Sequence, residues 1–268
     1  MFKKTKKIVP VKSIEVQKCI NDIDYDQLLI LSDSDRLKIL EDLKNKLIKY
    51  FSTSINLSDF KFFYITSGIT DGLNYLNNQY LNCDINVGVG DYEYFNYLKR
   101  ETTTTDEILY ISNPSAIDGN FVQEWDSLLE NKRIILDCAY LGTTSTKEIK
   151  INKNVETVLL SLSKTFGLYE NRIGFIFTNR PLPLLHGIIY DNCYFNISSC
   201  ILTMNLLDKF PLGHIHNLYK DQQNIICGQY NLQPSDVCFI ASSTDDKYSF
   251  YKRKNTNRLC LTEKIQLL

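Results

Sequence analysis

The sequence carries almost no net charge and lacks a long apolar run, and each of these absences excludes a class of protein. Thirty Lys and Arg residues stand against 31 Asp and Glu residues, a formal net charge of −1. A chain with this balance has no global electrostatic attraction to nucleic acid or to an anionic membrane surface. No segment approaches the roughly 18 uninterrupted apolar residues of a membrane-spanning helix. We therefore expect neither a nucleic-acid partner nor a membrane partner.

Paired cysteines are also missing. The chain has eight cysteines but no CxxC pair, which argues against a zinc knuckle or a dense disulfide scaffold and favours a reducing compartment. His214 and His216 have no third ligand near them in sequence, so we predict no metal site. The cationic first segment is not followed by an apolar one. Together these features predict a soluble, cytoplasmic protein.

The apolar residues that are present predict alternating helices and strands. Hydrophobic residues make up 44% of the chain, enough for a large core. Over residues 35–51 they recur every three or four positions, as on one face of an amphipathic helix. The short apolar runs that follow predict an α/β fold, a mostly parallel sheet with helices on both faces. The predicted strands are 61–65, 85–89, 108–112, 133–137, 155–161 and 173–178.

This alternation ends near residue 179, where the run RPLPLL (180–185) carries two of the six prolines. Beyond it, residues 199–230 are typical of helix, and 237–241, 248–252 and 258–262 are typical of short strands. We predict an N-terminal arm over 1–34, a large domain over 35–179 and a small C-terminal α+β domain over 180–268.

The residues after each predicted strand are the candidates for function, because ligands bind at the carboxyl ends of strands in such sheets. Residues 66–71 are predicted to form a glycine-containing turn at the start of a helix. Such a turn can bind a phosphate, and the alternative is that it only caps the helix. Asp137 and Tyr140 follow another strand, where a capping aspartate is the alternative. Lys164 follows the strand 155–160. Desolvation there would lower its pKa towards a nucleophilic amine, whereas a solvated loop lysine is the alternative.

Six segments in order resemble the fold type I pyridoxal-phosphate enzymes. The specific one is SLSKTFGLYENRIGF (161–175), which resembles the Schiff-base segment of the class I/II aminotransferase family, including its histidinol-phosphate aminotransferase-like members. The chain resembles a version of this family that is shortened at both ends. The other matching segments are TSGIT (66–70), GDYEY (90–94), NPSAIDG (113–119), LDCAY (136–140) and NRLCLT (257–262).

The resemblance implies pyridoxal 5'-phosphate as the cofactor and a role for each matching residue. Lys164 would form the Schiff base and then act as general base, and Asp137 would face the pyridine nitrogen. Tyr140 would donate to the phenolic oxygen and Tyr92 would stack on the ring. The remaining predicted contacts are the phosphate-binding Gly68, Ile69, Thr70, Ser161 and Arg172, the cofactor-binding Asn113 and Ser163, and Arg258 for the substrate carboxylate.

One departure from the family lies in NPSAIDG. Ala116 stands where the family usually has an asparagine that contacts the phenolic oxygen, and Asn113 is the nearest amide. Tyr140 would then tune this oxygen alone, with one hydrogen bond fewer.

The resemblance implies a PLP-dependent aminotransferase that acts on an α-amino acid, as a homodimer with its site at the interface. Two alternatives stay open: decarboxylation, elimination or oxidation of an amino acid on the same fold, and a PLP-binding protein without turnover. The presence of both Lys164 and Arg258 disfavours the PLP-binding protein without turnover, because a non-catalytic protein needs no arginine that binds a substrate carboxylate. The sequence does not identify the amino acid.

Overall fold

The computed structural model describes residues 2, 5, 7–22, 31–80, 83–87, 94, 107–123, 125–130, 132–168 and 171–268. Helix α1 spans Ile14–Asn21 and helix α2 spans Asp33–Phe51. A capping box starts α2, since the Ser32 hydroxyl accepts from the Asp35 amide and the Asp35 carboxylate accepts from the Ser32 amide. Leu40, Leu43 and Leu47 are buried on one face of α2, which confirms the predicted amphipathic helix.

A six-stranded sheet forms the centre of the molecule, with the strand order β1-β6-β5-β4-β3-β2. Strands β2 to β5 pair in parallel, whereas β6 is antiparallel to both β1 and β5. The predicted mostly parallel sheet is therefore confirmed. The strands are β1 (Phe62–Thr66), β2 (Asp84–Val87), β3 (Glu107–Ser112), β4 (Arg133–Cys138), β5 (Val155–Ser161) and β6 (Gly174–Thr178).

The reversal of β6 follows from its short connection. A parallel neighbour needs a crossover, usually a helix, but residues 162–168 and 171–173 form turns and loop before β6 starts. Strand β6 consequently begins at the edge where β5 ends. Helix α3 (Ile69–Gln79) packs on β1, β5 and β6, and helix α4 (Trp125–Leu128) follows β3 along the chain.

The C-terminal part combines helices with a second sheet. Helices α5 (Pro183–His186), α6 (Ile197–Lys209) and α7 (His214–Tyr230) precede it. The predicted helical region 199–230 is thus two helices, because Pro211 and the left-handed Gly213 interrupt it. The antiparallel sheet has the order β7-β8-β10-β9 and consists of β7 (Gln233–Pro234), β8 (Ile240–Ser243), β9 (Lys252–Arg253) and β10 (Thr256–Cys260), with α8 (Thr262–Ile265) after it.

One predicted strand of this region is wrong. Residues 246–251 form a 3-10 helix rather than the strand predicted over 248–252. The Asp245 side chain caps this helix by accepting from the Lys247 amide, which is local turn chemistry that competes with strand formation. The division at residue 179 stays a prediction. No helix within the described ranges is long and apolar enough to cross a membrane.

The close packing between the start of β6 and the turn at Gly68 can be tested by substitution of Gly174. A Cβ at this position would lie 2.6 Å from the carbonyl carbon of Gly68 and 2.7 Å from its Cα. We expect Gly174→Ala to lower the free energy of unfolding by about 1–3 kcal/mol, because rigid backbone must move. Urea unfolding measures this loss.

Gly228→Ala in α7 is the matched control. A Cβ there would have no atom within 4 Å, so alanine should stabilise the helix by roughly 0.5–1 kcal/mol. Equal stability changes in the two variants would contradict the close approach of Gly174 to Gly68.

Candidate active site

A pocket of about 600 Å³ opens where β4 and β5 end and α3 begins. Its position agrees with the edge at which parallel sheets bind ligands. Residues 7–10 of the N-terminal segment form another wall. The side chains and backbone that line it belong to Lys7, Ile8, Val9, Pro10, Ile69, Thr70, Ser112, Ala116, Asp137, Ala139, Tyr140, Ser161, Ser163, Lys164, Arg172, Arg253 and Arg258.

Lys164 lies in this pocket, three residues after β5, and its side chain is partly buried. Burial is the largest cause that lowers the pKa of Lys164 to about 8; Arg258 and Arg172 lower it too, and Cys260 acts in the opposite direction. The ammonium lies 5.9 Å from the centre of the Tyr140 ring. An amine with this pKa is partly neutral at physiological pH and can attack a carbonyl carbon.

The N-terminal segment contacts this lysine directly. The Lys164 Nζ donates a hydrogen bond to the backbone carbonyl of Ile8. The next residue, Val9, is held against the C-terminal region, because its amide donates to the Cys260 Sγ at 3.4 Å and its carbonyl accepts from the Thr262 hydroxyl. Residues 7–10 therefore cover the pocket, a contact between distant parts of the chain that no local sequence signal indicated.

Asp137 is the penultimate residue of β4, and its side chain is buried at 3% exposure. The Oδ1 accepts from the Ala139 amide at 2.8 Å, and the Oδ2 accepts from the Tyr110 hydroxyl. Burial raises the pKa of Asp137 to about 6, while the hydrogen bonds from Tyr110 and Ala139 act in the opposite direction. Tyr110 lies on β3 and was missed by the sequence analysis, since a tyrosine in an apolar strand is ordinarily a core residue.

An anion-binding cradle lies at the start of α3. Gly68 precedes the helix with a φ of +101°, a conformation that favours glycine. Arg172 lies against it: its Nε donates to the Ser67 carbonyl at 3.2 Å, and a Cβ on Gly68 would come within 2.8 Å of its Nη2. Ile69 and Thr70, on the first turn of the helix, line the pocket. The N-terminal turn of a helix and a guanidinium together suit a phosphate.

Three serines contribute hydroxyls to the same pocket. The Ser161 Oγ donates to the Ile173 carbonyl at 3.1 Å and accepts from the Ser163 amide at 3.2 Å. The Ser112 and Ser163 hydroxyl oxygens are buried and have no hydrogen-bond partner within the described part of the chain. Because buried polar groups are normally paired, these two hydroxyls fit a polar ligand.

Two arginines reach the pocket from the small sheet. Arg258 on β10 is 8% exposed, and its Nη1 donates to the Ala116 carbonyl. Arg253 on β9 also lines the pocket. The sequence analysis identified Arg258 but missed Arg253, which the β9–β10 hairpin brings close to it. Burial and the Arg258 charge lower the pKa of Arg253. The pocket is thus suited to anions.

One residue of the predicted site, Asn113, is not among the residues that line the pocket. Its side chain is buried, and its Oδ1 accepts from the Val122 amide at 3.1 Å. Ala116 does line the pocket, in agreement with the ungapped alignment of NPSAIDG. Tyr92 lies outside the described residues, so its predicted stacking role stays a prediction.

Comparisons with known proteins agree with this arrangement. Residues 90–216 match the family described as aminotransferase class I and II. No curated protein gives a significant sequence match. Among solved structures, histidinol-phosphate aminotransferase from Sinorhizobium meliloti in complex with pyridoxal-5'-phosphate is similar with a TM-score of 0.64 and 13% identity, over 96% of this chain and 88% of that chain.

Two enzymes with other names are equally similar in fold. L-threonine-O-3-phosphate decarboxylase from Porphyromonas gingivalis gives a TM-score of 0.63 and 14% identity, over 98% of this chain and 97% of that chain. The PLP-bound C-S lyase from Staphylococcus hominis gives a TM-score of 0.67 and 11% identity, over 96% and 86% of the two chains. At these identities the likeness concerns the fold, and it confirms the predicted fold class.

The lowered pKa of Lys164 predicts a distinctive pH profile for the apoprotein. With a pKa of about 8, roughly a tenth of the Lys164 amines are neutral at pH 7, against about one in 2,500 for an ordinary lysine. Reductive methylation at Lys164, followed by peptide mapping, should reach half its maximal rate near pH 8 and fall at lower pH as the amine gains a proton. Arg258→Met should move this midpoint upward, because it removes a positive charge. A midpoint near 10.4 in the unmodified sequence would contradict the burial of Lys164.

Proposed function

We propose, because residues 90–216 match the family described as aminotransferase class I and II, that the chain is a pyridoxal-phosphate-dependent aminotransferase acting on an α-amino acid. One observation carries the proposal: Lys164, Asp137 and Arg172 line a single pocket at the carboxyl ends of β4 and β5. The nucleophile, the carboxylate and the phosphate-binding cation that this cofactor requires are therefore within one cavity.

The residues present fit the cofactor. The Ser163 hydroxyl, buried without a partner among the described residues, and the cradle between Gly68 and Arg172 supply donors that suit a phosphate ester. We assign the phosphate to the backbone amides of Gly68 and Ile69, to the hydroxyls of Thr70, Ser161 and Ser163, and to Arg172. The bound cofactor supplies an electron sink for the negative charge that develops at the substrate α-carbon.

Lys164 has two tasks in this proposal. Its neutral amine would hold the cofactor covalently at the aldehyde carbon. The same Nζ, when not engaged with the cofactor, would move the proton from the substrate α-carbon. A pKa of about 8 leaves this amine able to accept and return a proton near neutral pH.

Three further residues orient the reactants. Asp137, which is ionised above a pKa of about 6, holds a proton on the pyridine nitrogen. Tyr140 donates to the phenolic oxygen. Arg258 binds the substrate carboxylate with a planar guanidinium. Tyr92 is assigned to the ring face by the resemblance of GDYEY, and Asn113 is a weaker candidate because it is not among the residues that line the pocket.

Location and assembly belong to the same proposal. All eight cysteines are free thiols, which supports a reducing compartment such as the cytoplasm. A homodimer is proposed because fold type I sites generally lie at a dimer interface. Light scattering of the purified protein would test it.

The second candidate function keeps the cofactor and changes the outcome. A decarboxylase and a C-S lyase have similarity in fold comparable to that of the aminotransferase, and Ala116 replaces the usual amide near the phenolic oxygen. Purified protein should be incubated with amino acids and a 2-oxo acid. Transfer of the amino group to the 2-oxo acid supports the aminotransferase, whereas release of carbon dioxide, ammonia or a thiol favours the alternative.

Borohydride trapping tests the central residue. The wild-type protein should be yellow, and borohydride reduction followed by peptide mapping should place the pyridoxyl group on Lys164. Lys164→Ala should lose the visible absorption band and all turnover, because it removes the amine that is proposed to form the Schiff base. Labelling of a different lysine would refute the assignment.

Ala116→Asn tests the departure from the family. Ala116 lines the pocket, and an amide there could donate to the phenolic oxygen. A hydrogen bond to a charged group is worth roughly 1.5–3 kcal/mol, so the pKa of the visible absorption change should fall by about one unit. Spectrophotometric titration of both proteins measures this. An unchanged pKa would mean that another donor already fills the role.

A further inference from the structure

Tyr110 occupies a position from which it can act on Asp137. It lies on β3, fully buried, and pairs in register with Ile135 of β4. Because side chains alternate along a strand, Asp137 lies on the same face as Ile135, one step nearer the pocket. The Tyr110 hydroxyl spans this step and donates to the Asp137 Oδ2.

Two donors then hold the Asp137 carboxylate, one on each oxygen. The Ala139 amide donates to Oδ1 at 2.8 Å, and Tyr110 donates to Oδ2. A carboxylate has about four lone-pair positions, so these two bonds leave acceptor capacity for a ligand in the pocket. Fixing both oxygens also fixes the rotation of the carboxylate plane, which neither bond does alone.

The neighbours of Asp137 on the two adjoining strands carry no charge. On β5 its register partner is the apolar Leu159, and on β3 it is Ser112. The adjacent Cys138 thiol is kept protonated, because burial and Asp137 raise its pKa. Burial raises the pKa of Asp137 and Tyr110 is the first of the groups that lower it. The Tyr110 hydroxyl, together with the Ala139 amide, therefore favours the ionised state of this buried carboxylate.

We propose that Tyr110 is a positioning residue that fixes the orientation of Asp137 and keeps its carboxylate charged. The further statement that this charge faces the pyridine nitrogen of the cofactor rests on the proposed function. Tyr110 acts through Asp137 and does not line the pocket, so it takes no direct part in the chemistry.

The test begins with the apoprotein and the variant Tyr110→Phe, which keeps the ring and removes the hydroxyl. Infrared titration, with Asp137→Asn to identify the carboxyl band, gives the pKa of Asp137 without cofactor. We expect the pKa to rise by roughly one unit or more from about 6, because the charged form loses a donor. At pH 7 the carboxylate would then be half protonated or more.

Tyr64→Phe is the matched control. Tyr64 is also a fully buried tyrosine of the central sheet, and its hydroxyl accepts from the Leu182 amide at 3.1 Å, away from Asp137. This variant loses a buried hydroxyl in the same way but should leave the pKa of Asp137 unchanged. Equal pKa changes in the two variants, or no change in Tyr110→Phe, would overturn the proposal.

A second measurement separates this inference from the proposed function. The affinity of Tyr110→Phe at pH 7 should fall for pyridoxal phosphate but not for its 1-deaza analogue, in which carbon replaces the ring nitrogen. Equal weakening of both would overturn a role directed at the nitrogen. If the wild type binds neither compound while the pKa still shifts in Tyr110→Phe, the proposed function fails and the Tyr110–Asp137 pairing is supported.

Discussion

Parallel pairing of β3, β4 and β5 is the constraint on which the candidate site depends. Parallel strands all end at one edge of a sheet, so the residues after them share one crevice. Asp137 and Lys164 therefore line the same pocket although they lie in different segments. The antiparallel strand β6 also contributes to this site, because it starts at the same edge of the sheet and brings Arg172 and Gly174 against the turn at Gly68.

Burial at this edge gives the two central groups their chemistry. Removal of water raises the pKa of Asp137 to about 6 and lowers that of Lys164 to about 8, since burial disfavours the charged form of each. Both groups then titrate close to neutral pH, which is the range in which acid–base chemistry is effective. Hydrogen bonds from Tyr110 and Ala139 limit the shift at Asp137 and keep it a base.

Contacts between the ends of the chain complete the pocket. Val9 is bound by Cys260 and Thr262, and the Ile8 carbonyl accepts from Lys164. The small sheet meanwhile brings Arg258 to the Ala116 carbonyl. The large sheet supplies the reactive groups, and the terminal segments supply the walls that exclude water from them.

The sequence by itself determined the elements and the residues at their ends. Apolar periodicity and strand spacing are local properties, and they were enough to predict α2, the strands β1 to β6 and the placement of Asp137 and Lys164 at strand ends. Arg172 and Arg258 were assigned as site candidates by the resemblance to a known family. Local competition explains the error at residues 246–251, where the Asp245 cap favours a 3-10 helix. The tertiary structure alone decided that Tyr110 bonds to Asp137, that residues 7–10 cover Lys164, that Arg253 enters the pocket and that Asn113 turns towards Val122. Each of these depends on which side chains meet after distant segments pack, and no pattern within a segment encodes that meeting.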